Sequence, residues 1–106
     1  MRRNWFFILL SLAERERHGS EVMRDVRELT DGELTLWPAT LYGSLDELSE
    51  QEWIEELSDP EVRPTGESER KRYYRITAAG RAALRKETGR LESLAQTARL
   101  RLSRAR

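Results

Sequence analysis

The 106-residue chain contains no cysteine and a single histidine. The first absence excludes a disulfide framework, a thiolate nucleophile and any thiolate zinc site. The second leaves no histidine pair for a metal, and a Ser/His triad would have to use His18 as its base, directly after the charged run Glu14 to Arg17. His18 reads more simply as a turn residue. Long apolar runs are missing too. Met1-Arg2-Arg3-Asn4-Trp5-Phe6-Phe7-Ile8-Leu9-Leu10-Ser11-Leu12-Ala13 imitates an export signal, with twin arginines, an apolar stretch and small residues, but it gives way to charge at Glu14. A signal peptide needs roughly 15 to 30 residues and a membrane span ~20 apolar ones. Neither an export signal nor a membrane span is therefore expected. Acid/base chemistry is left with Glu55 and Glu56, which adjoin in a strand-like stretch and so point to opposite faces. No catalytic residue, metal or cofactor is expected, and the chain does not read as an enzyme.

Charge is plentiful and divided. Lys plus Arg and Asp plus Glu both number 19, for a formal net charge of zero. Residues 1 to 60 hold 6 basic and 14 acidic side chains, whereas residues 61 to 106 hold 13 basic and 5 acidic, 11 of the basic ones being Arg. A basic half suits a polyanion, although a solvated arginine surface would have the same composition.

Periodicity supplies the elements. Trp5, Ile8, Leu9 and Leu12 recur at helical spacing, with Phe6, Phe7 and Leu10 as a second apolar strip beside them. One strip faces a core; the other needs a partner. Gly19 and Ser20 punctuate the end of this helix. Val22, Val26 and Leu29 line a second helix that stops at Thr30-Asp31-Gly32, Thr35-Leu36 is short and β-prone, and Pro38 suits the first position of a third helix. That helix turns Leu41, Leu45 and Leu48 inward. Trp53 to Leu57 and Arg70 to Ile76 read as a long-looped hairpin in which Tyr74 and Ile76 face the core and Lys71, Tyr73 and Arg75 face away. Thr77 caps a last helix whose Leu84, Thr88, Leu91, Ala95, Ala98 and Leu102 form a weak heptad seam. The remaining core is too small to cover it, so a homodimer is expected.

Three short helices and then a hairpin is the order of a winged helix-turn-helix, in which the second helix of the turn motif enters the major groove of duplex DNA and the hairpin, or wing, lies along the backbone. The fold class is α+β, mostly helical, with residues 1–76 as the DNA-binding domain and residues 77–106 as the dimerisation helix.

Three stretches carry a family resemblance. His18-Gly19-Ser20-Glu21-Val22, Trp37-Pro38-Ala39-Thr40-Leu41-Tyr42-Gly43-Ser44-Leu45 and Arg72-Tyr73-Tyr74-Arg75-Ile76-Thr77-Ala78-Ala79-Gly80 resemble the landmarks of PadR-type transcriptional regulators, from about Phe6 to Leu84. The resemblance implies a cytoplasmic homodimer that binds an inverted repeat, usually as a repressor, with a C-terminal helix completing the dimer. Two positions depart from it. Many relatives have an aromatic residue where Ser20 stands and a small N-capping residue where Trp37 stands; Trp37 either packs or contacts DNA.

With the leucines inward, Ala39, Thr40 and Gly43 face outward at the start of the third helix, with Tyr42 and Ser44 on its flanks. Small and hydroxylated residues admit the backbone to base edges, although Tyr42 serves equally well as a packing residue. Ser20 and the wing residues Arg63, Arg70, Lys71 and Arg72 complete the expected DNA-binding set. Asp46, Glu47 and Glu50 repel phosphates and so restrict the approach to the first two turns. Phe6, Phe7, Leu10, Leu84, Leu91, Ala95, Ala98 and Leu102 are the expected dimer contacts. Trp5, Phe6 and Phe7 beside that seam are either plain packing or the lining of a pocket for a small aromatic effector. The competing reading is a winged-helix protein-interaction module that never touches DNA, which the acidic side of the third helix favours.

Overall fold

Ile8, Leu9 and Leu12, one stripe of the first apolar run, are fully buried and form the floor on which the other elements pack. The computed structural model describes residues 1–57 and 72–104. Its element order is α1 (Arg3–Glu14), β1 (Arg17–His18), α2 (Gly19–Leu29), α3 (Pro38–Glu50), β2 (Ile54–Leu57), β3 (Tyr73–Ile76) and α4 (Ala78–Arg104). Val22 and Val26 from α2, Leu36 from the connection, Leu41, Leu45 and Leu48 from α3, and Ile54, Tyr74 and Ile76 from the sheet close one core over α1. Each large aliphatic side chain buried in this way contributes about 1.5–3 kcal/mol.

The first helix ends earlier than the glycine signal suggests. It stops at Glu14, and Arg17–His18 pair antiparallel with Tyr74 and Tyr73, giving a three-stranded sheet of order β1-β3-β2. Arg17, the last residue of the charged run Glu14 to Arg17, is buried: its Nε donates to the Ser11 carbonyl at 3.1 Å and its Nη2 to Glu14 at 2.8 Å. It staples the end of α1 to β1. His18 is likewise more than a turn residue. The Glu21 backbone N–H donates to His18 Nδ1 at 3.3 Å while the His18 backbone N–H donates to Glu21 Oε1 at 3.3 Å, a reciprocal capping box in which an imidazole takes the usual hydroxyl's place.

The far end of α2 is closed by backbone geometry. The Gly32 N–H donates to the Arg27 carbonyl at 2.8 Å and Asp31 N–H to that of Glu28 at 3.3 Å, with positive φ at Asp31 and Gly32, which is a Schellman ending. Leu29, expected to share a face with Val22 and Val26, is the last residue of α2 and is 47% exposed. Thr35-Leu36 forms no strand; Leu36 instead drops its side chain into the core.

Pro38 opens α3 as expected, and Leu41, Leu45 and Leu48 all point inward. In the hairpin Ile54 pairs with Ile76, Glu55 with Arg75, Glu56 with Tyr74 and Leu57 with Tyr73. Tyr73 corrects the simple alternation: it is buried, with its ring edge-on to that of His18 at 5.3 Å, because β1 supplies a neighbour that the sequence did not reveal. The Thr77 hydroxyl accepts from Gly80 N–H at 3.0 Å and so caps α4. The 27 residues of that helix span about 40 Å at 1.5 Å per residue, well beyond the helical body.

Candidate nucleic-acid interface

The outward side of α3 is built by subtraction. With Leu41, Leu45 and Leu48 committed to the core, Ala39, Thr40, Gly43, Asp46 and Glu50 are left exposed. Ala39, Thr40 and Gly43 make a low, hydroxyl-bearing surface over the first two turns, and the carboxylates of Asp46 and Glu50 follow it. Ser44 lines a cleft on one flank together with Thr40, Gly43 and Glu47, but at 6% exposure little of it reaches the outward face. Tyr42 does lie on the flank, 36% exposed, with its ring packed over Gly19 at the start of α2. It packs and remains accessible at once. Ser20, the second residue of α2, is exposed beside it.

Trp37 does not pack. Its indole is 70% exposed at the N-cap of α3, and the side chain makes no capping hydrogen bond. A cleft of about 810 Å³ runs from Trp37 along α2 past Arg24 and Arg27.

The wing has a charge arrangement that the sequence hides. Arg72 donates to both carboxylate oxygens of Glu56 at 2.8 and 2.9 Å and lies over the Tyr74 ring at 5.6 Å. Arg75 donates to Glu55 at 2.9 Å directly across the ladder. These carboxylates, considered in sequence only as a poor acid/base pair, act as counter-ions; the cross-strand register was needed to find them. The fork with Glu56 pushes the Arg72 guanidinium up in pKa, keeping it charged at every relevant pH. Burial pushes the Tyr74 phenol up to about 12. Arg63, Arg70 and Lys71 lie outside the described residues.

The expected dimer residues fall into two groups. Phe6, Phe7 and Leu10 are half-buried, with the rings of Phe6 and Phe7 edge to face at 5.5 Å. Leu84 packs on the core, whereas Leu91, Ala95, Ala98 and Leu102 are exposed on the free part of α4. Leu94, which the heptad spacing omits, is exposed beside Leu91. Trp5 is fixed edge-on to Trp53 at 5.6 Å. Among the described residues no cluster of His, Asp or Glu could hold a metal, and no helix is long and apolar enough to cross a membrane.

Comparison with known proteins agrees with this architecture. An uncharacterized protein of Lysinibacillus sphaericus is 30% identical over 77 residues, covering 73% of this chain and 67% of that protein. A transcriptional regulator from Clostridium thermocellum superimposes with a TM-score of 0.74 at 25% identity, over 91% of this chain and 86% of the other. A PadR family transcription regulator from Clostridium difficile gives a TM-score of 0.80 at 22% identity, over 95% and 99% of the two chains. The transcriptional regulator PadR-like family matches residues 8–86. The chain therefore belongs to the PadR-like family of transcriptional regulators, DNA-binding winged-helix proteins rather than enzymes.

Proposed function

We propose that the chain is a cytoplasmic homodimeric repressor that reads an inverted repeat in double-stranded DNA. The observation that carries this reading is the outward face of α3, where Ala39, Thr40 and Gly43 stand exposed with no bulky side chain between the helix backbone and a base edge. Thr40 offers a hydroxyl and a methyl to base edges, Tyr42 and Ser20 offer hydroxyls to phosphate, and Arg72 in the wing, on exchanging Glu56 for a phosphate, supplies charge alongside Arg63, Arg70 and Lys71. The free half of α4, with Leu91, Ala95, Ala98 and Leu102, and the half-buried Phe6, Phe7 and Leu10 support the dimer, since so many exposed leucines on one helix call for a partner. Two-fold symmetry then sets the inverted repeat. A small aromatic effector beside Phe6 and Phe7 is part of the same proposal, with Trp5 as a wall already fixed by Trp53.

A second reading, a protein-interaction module, is favoured by Asp46 and Glu50, which are exposed on the same helix. Titration against duplex DNA from upstream of its own gene at several salt concentrations separates the two. The repressor reading expects tight binding whose logarithm falls linearly with log salt. Binding that is absent or indifferent to salt selects the protein-interaction module.

A further inference from the structure

The start of α1 lies where the sequence gives no reason to look for it, alongside α3. Arg2 and Arg3 form one wall of a cleft of about 410 Å³ whose other wall includes Thr40, Gly43 and Glu47. The Arg2 guanidinium is ion-paired with the Glu47 carboxylate, 45 residues away in sequence, and sits over the Trp5 ring at 4.9 Å from its centre. Both partners of that pair remain substantially exposed. Arg3 is exposed too and pairs with no carboxylate among the described residues.

The two flanks of α3 are therefore dressed differently. On one flank Tyr42 packs against Gly19 at the start of α2; on the other, Thr40 and Glu47 face the arginines of α1. An α-helix with its side chains measures about 10–12 Å across and the major groove is about 12 Å wide, so whatever flanks a helix seated there meets the phosphate chains on either side. Resting on the DNA-binding reading above, we propose that Arg2 and Arg3 form a phosphate-contacting arm on the flank of α3 away from α2, and that Arg2 passes from Glu47 to a phosphate when the helix enters the groove.

Three physical features support the transfer. An exposed ion pair in water is worth little, so Glu47 competes weakly for Arg2. A phosphate oxygen accepts from a guanidinium in the same forked geometry as a carboxylate, so no change of donor arrangement is required. The Trp5 ring, itself anchored on Trp53, holds the guanidinium beside the groove in advance, which reduces the ordering cost on binding. In the free protein the same pairing offsets one of the carboxylates that would otherwise repel DNA.

The test measures the affinity of the full-length protein for the upstream duplex and for a random-sequence duplex across a salt series, with thermal melting of each variant as a check on folding. Arg2→Ala and Arg3→Ala should each weaken binding to both duplexes and lower the slope of log affinity against log salt by about 1, with the double variant lowering it by about 2. Arg2→Lys should keep the slope. Glu47→Gln should tighten binding, because it removes both the competitor for Arg2 and a charge facing phosphate; a purely structural Arg2–Glu47 pair predicts the opposite. Wild-type protein that binds with steep salt dependence, together with alanine variants of unchanged affinity and slope, would overturn the arm while leaving the DNA-binding reading standing. Wild-type protein that binds neither duplex overturns both.

Discussion

The Tyr42 hydroxyl sits so close over Gly19 that a β-carbon at Gly19 would lie 2.6 Å from it and 3.0 Å from the adjoining ring carbon. This contact joins the first turn of α2 to the flank of α3, the two elements expected to meet DNA on one side. The colliding atoms belong to the end of a partly exposed side chain, and the Gly19 backbone has no positive φ, so an alanine there can be accepted if Tyr42 swings away. Gly19→Ala should therefore change stability by less than about 1 kcal/mol yet weaken operator binding, and the binding loss should shrink in a Tyr42→Ala background. A binding loss undiminished in that background would mean that Gly19 acts through something other than the tyrosine.

Gly80 and Gly89 stand nine residues apart in α4 and should respond in opposite directions. A β-carbon on Gly80 would come within 2.0 Å of the Trp53 carbonyl oxygen and 2.8 Å of Ile76 Cγ1. A backbone oxygen that already accepts from Thr77 N–H cannot rotate aside. Gly80→Ala should force α4 off the sheet and cost about 1–3 kcal/mol or more. Around Gly89 there is open space, so Gly89→Ala should stabilise by about 0.5–1 kcal/mol through helix propensity alone. Denaturant melts of the two variants check both signs.

Tyr74 makes stability sensitive to alkali. Its side chain is fully buried and its hydroxyl has no hydrogen-bond partner among the described residues. Burial raises the phenol from 10.0 to about 12 in the folded protein. A raised folded pKa means that the stability is fully present below pH 10 and is lost as the pH climbs toward 12, because the unfolded chain ionises first. Tyr74→Phe should flatten that loss between pH 10 and 12 and leave neutral stability equal or slightly higher, since no hydrogen bond is broken. Urea midpoints measured across this range for both proteins decide it; parallel curves would reject the role of Tyr74.

These positions also show where sequence reading succeeds and where it stops. The start of α3 at Pro38, its inward leucines and the Thr77 cap were legible because each depends on residues within a turn or two of one another, and the winged-helix order follows from the sequence of elements. The β1 strand was not, because Arg17-His18 has no strand character of its own and is defined by pairing with Tyr73 and Tyr74. The burial of Ser44 was not legible, because helical angle alone cannot tell how deeply a flank is covered. The ion pairs of Glu55 and Glu56 needed the hairpin register, and Arg2 against Glu47 needed the packing of α1 beside α3. In each case the missing information was a contact between segments distant in sequence.

Leu91, Leu94 and Leu102 are exposed, so replacing the first two by glutamate should leave the monomer fold intact. In a dimer the same substitutions remove apolar burial of about 1.5–3 kcal/mol per leucine on each chain and add like charges. Because 1.4 kcal/mol is a factor of ten, the dissociation constant should rise by a factor of about a thousand or more. Light scattering coupled to size exclusion should report twice the chain mass for wild type and a single mass for the variant. The DNA consequence is separable. If each α3 enters a major groove on the same face, half-site centres lie about 10 base pairs apart or a multiple of it, and inserting about 5 rotates one half-site to the far side. Wild-type affinity should then collapse toward the nonspecific level, whereas the Leu91→Glu/Leu94→Glu monomer, already reading half-sites singly, should bind both spacings equally and weakly. An insertion of about 10 base pairs should hurt wild type less than one of about 5, because it restores the facing but asks the two-helix seam or the DNA to stretch. Equal tight binding of wild type to all three spacings would mean that the subunits read DNA independently, and neither the seam nor the symmetry argument would survive it.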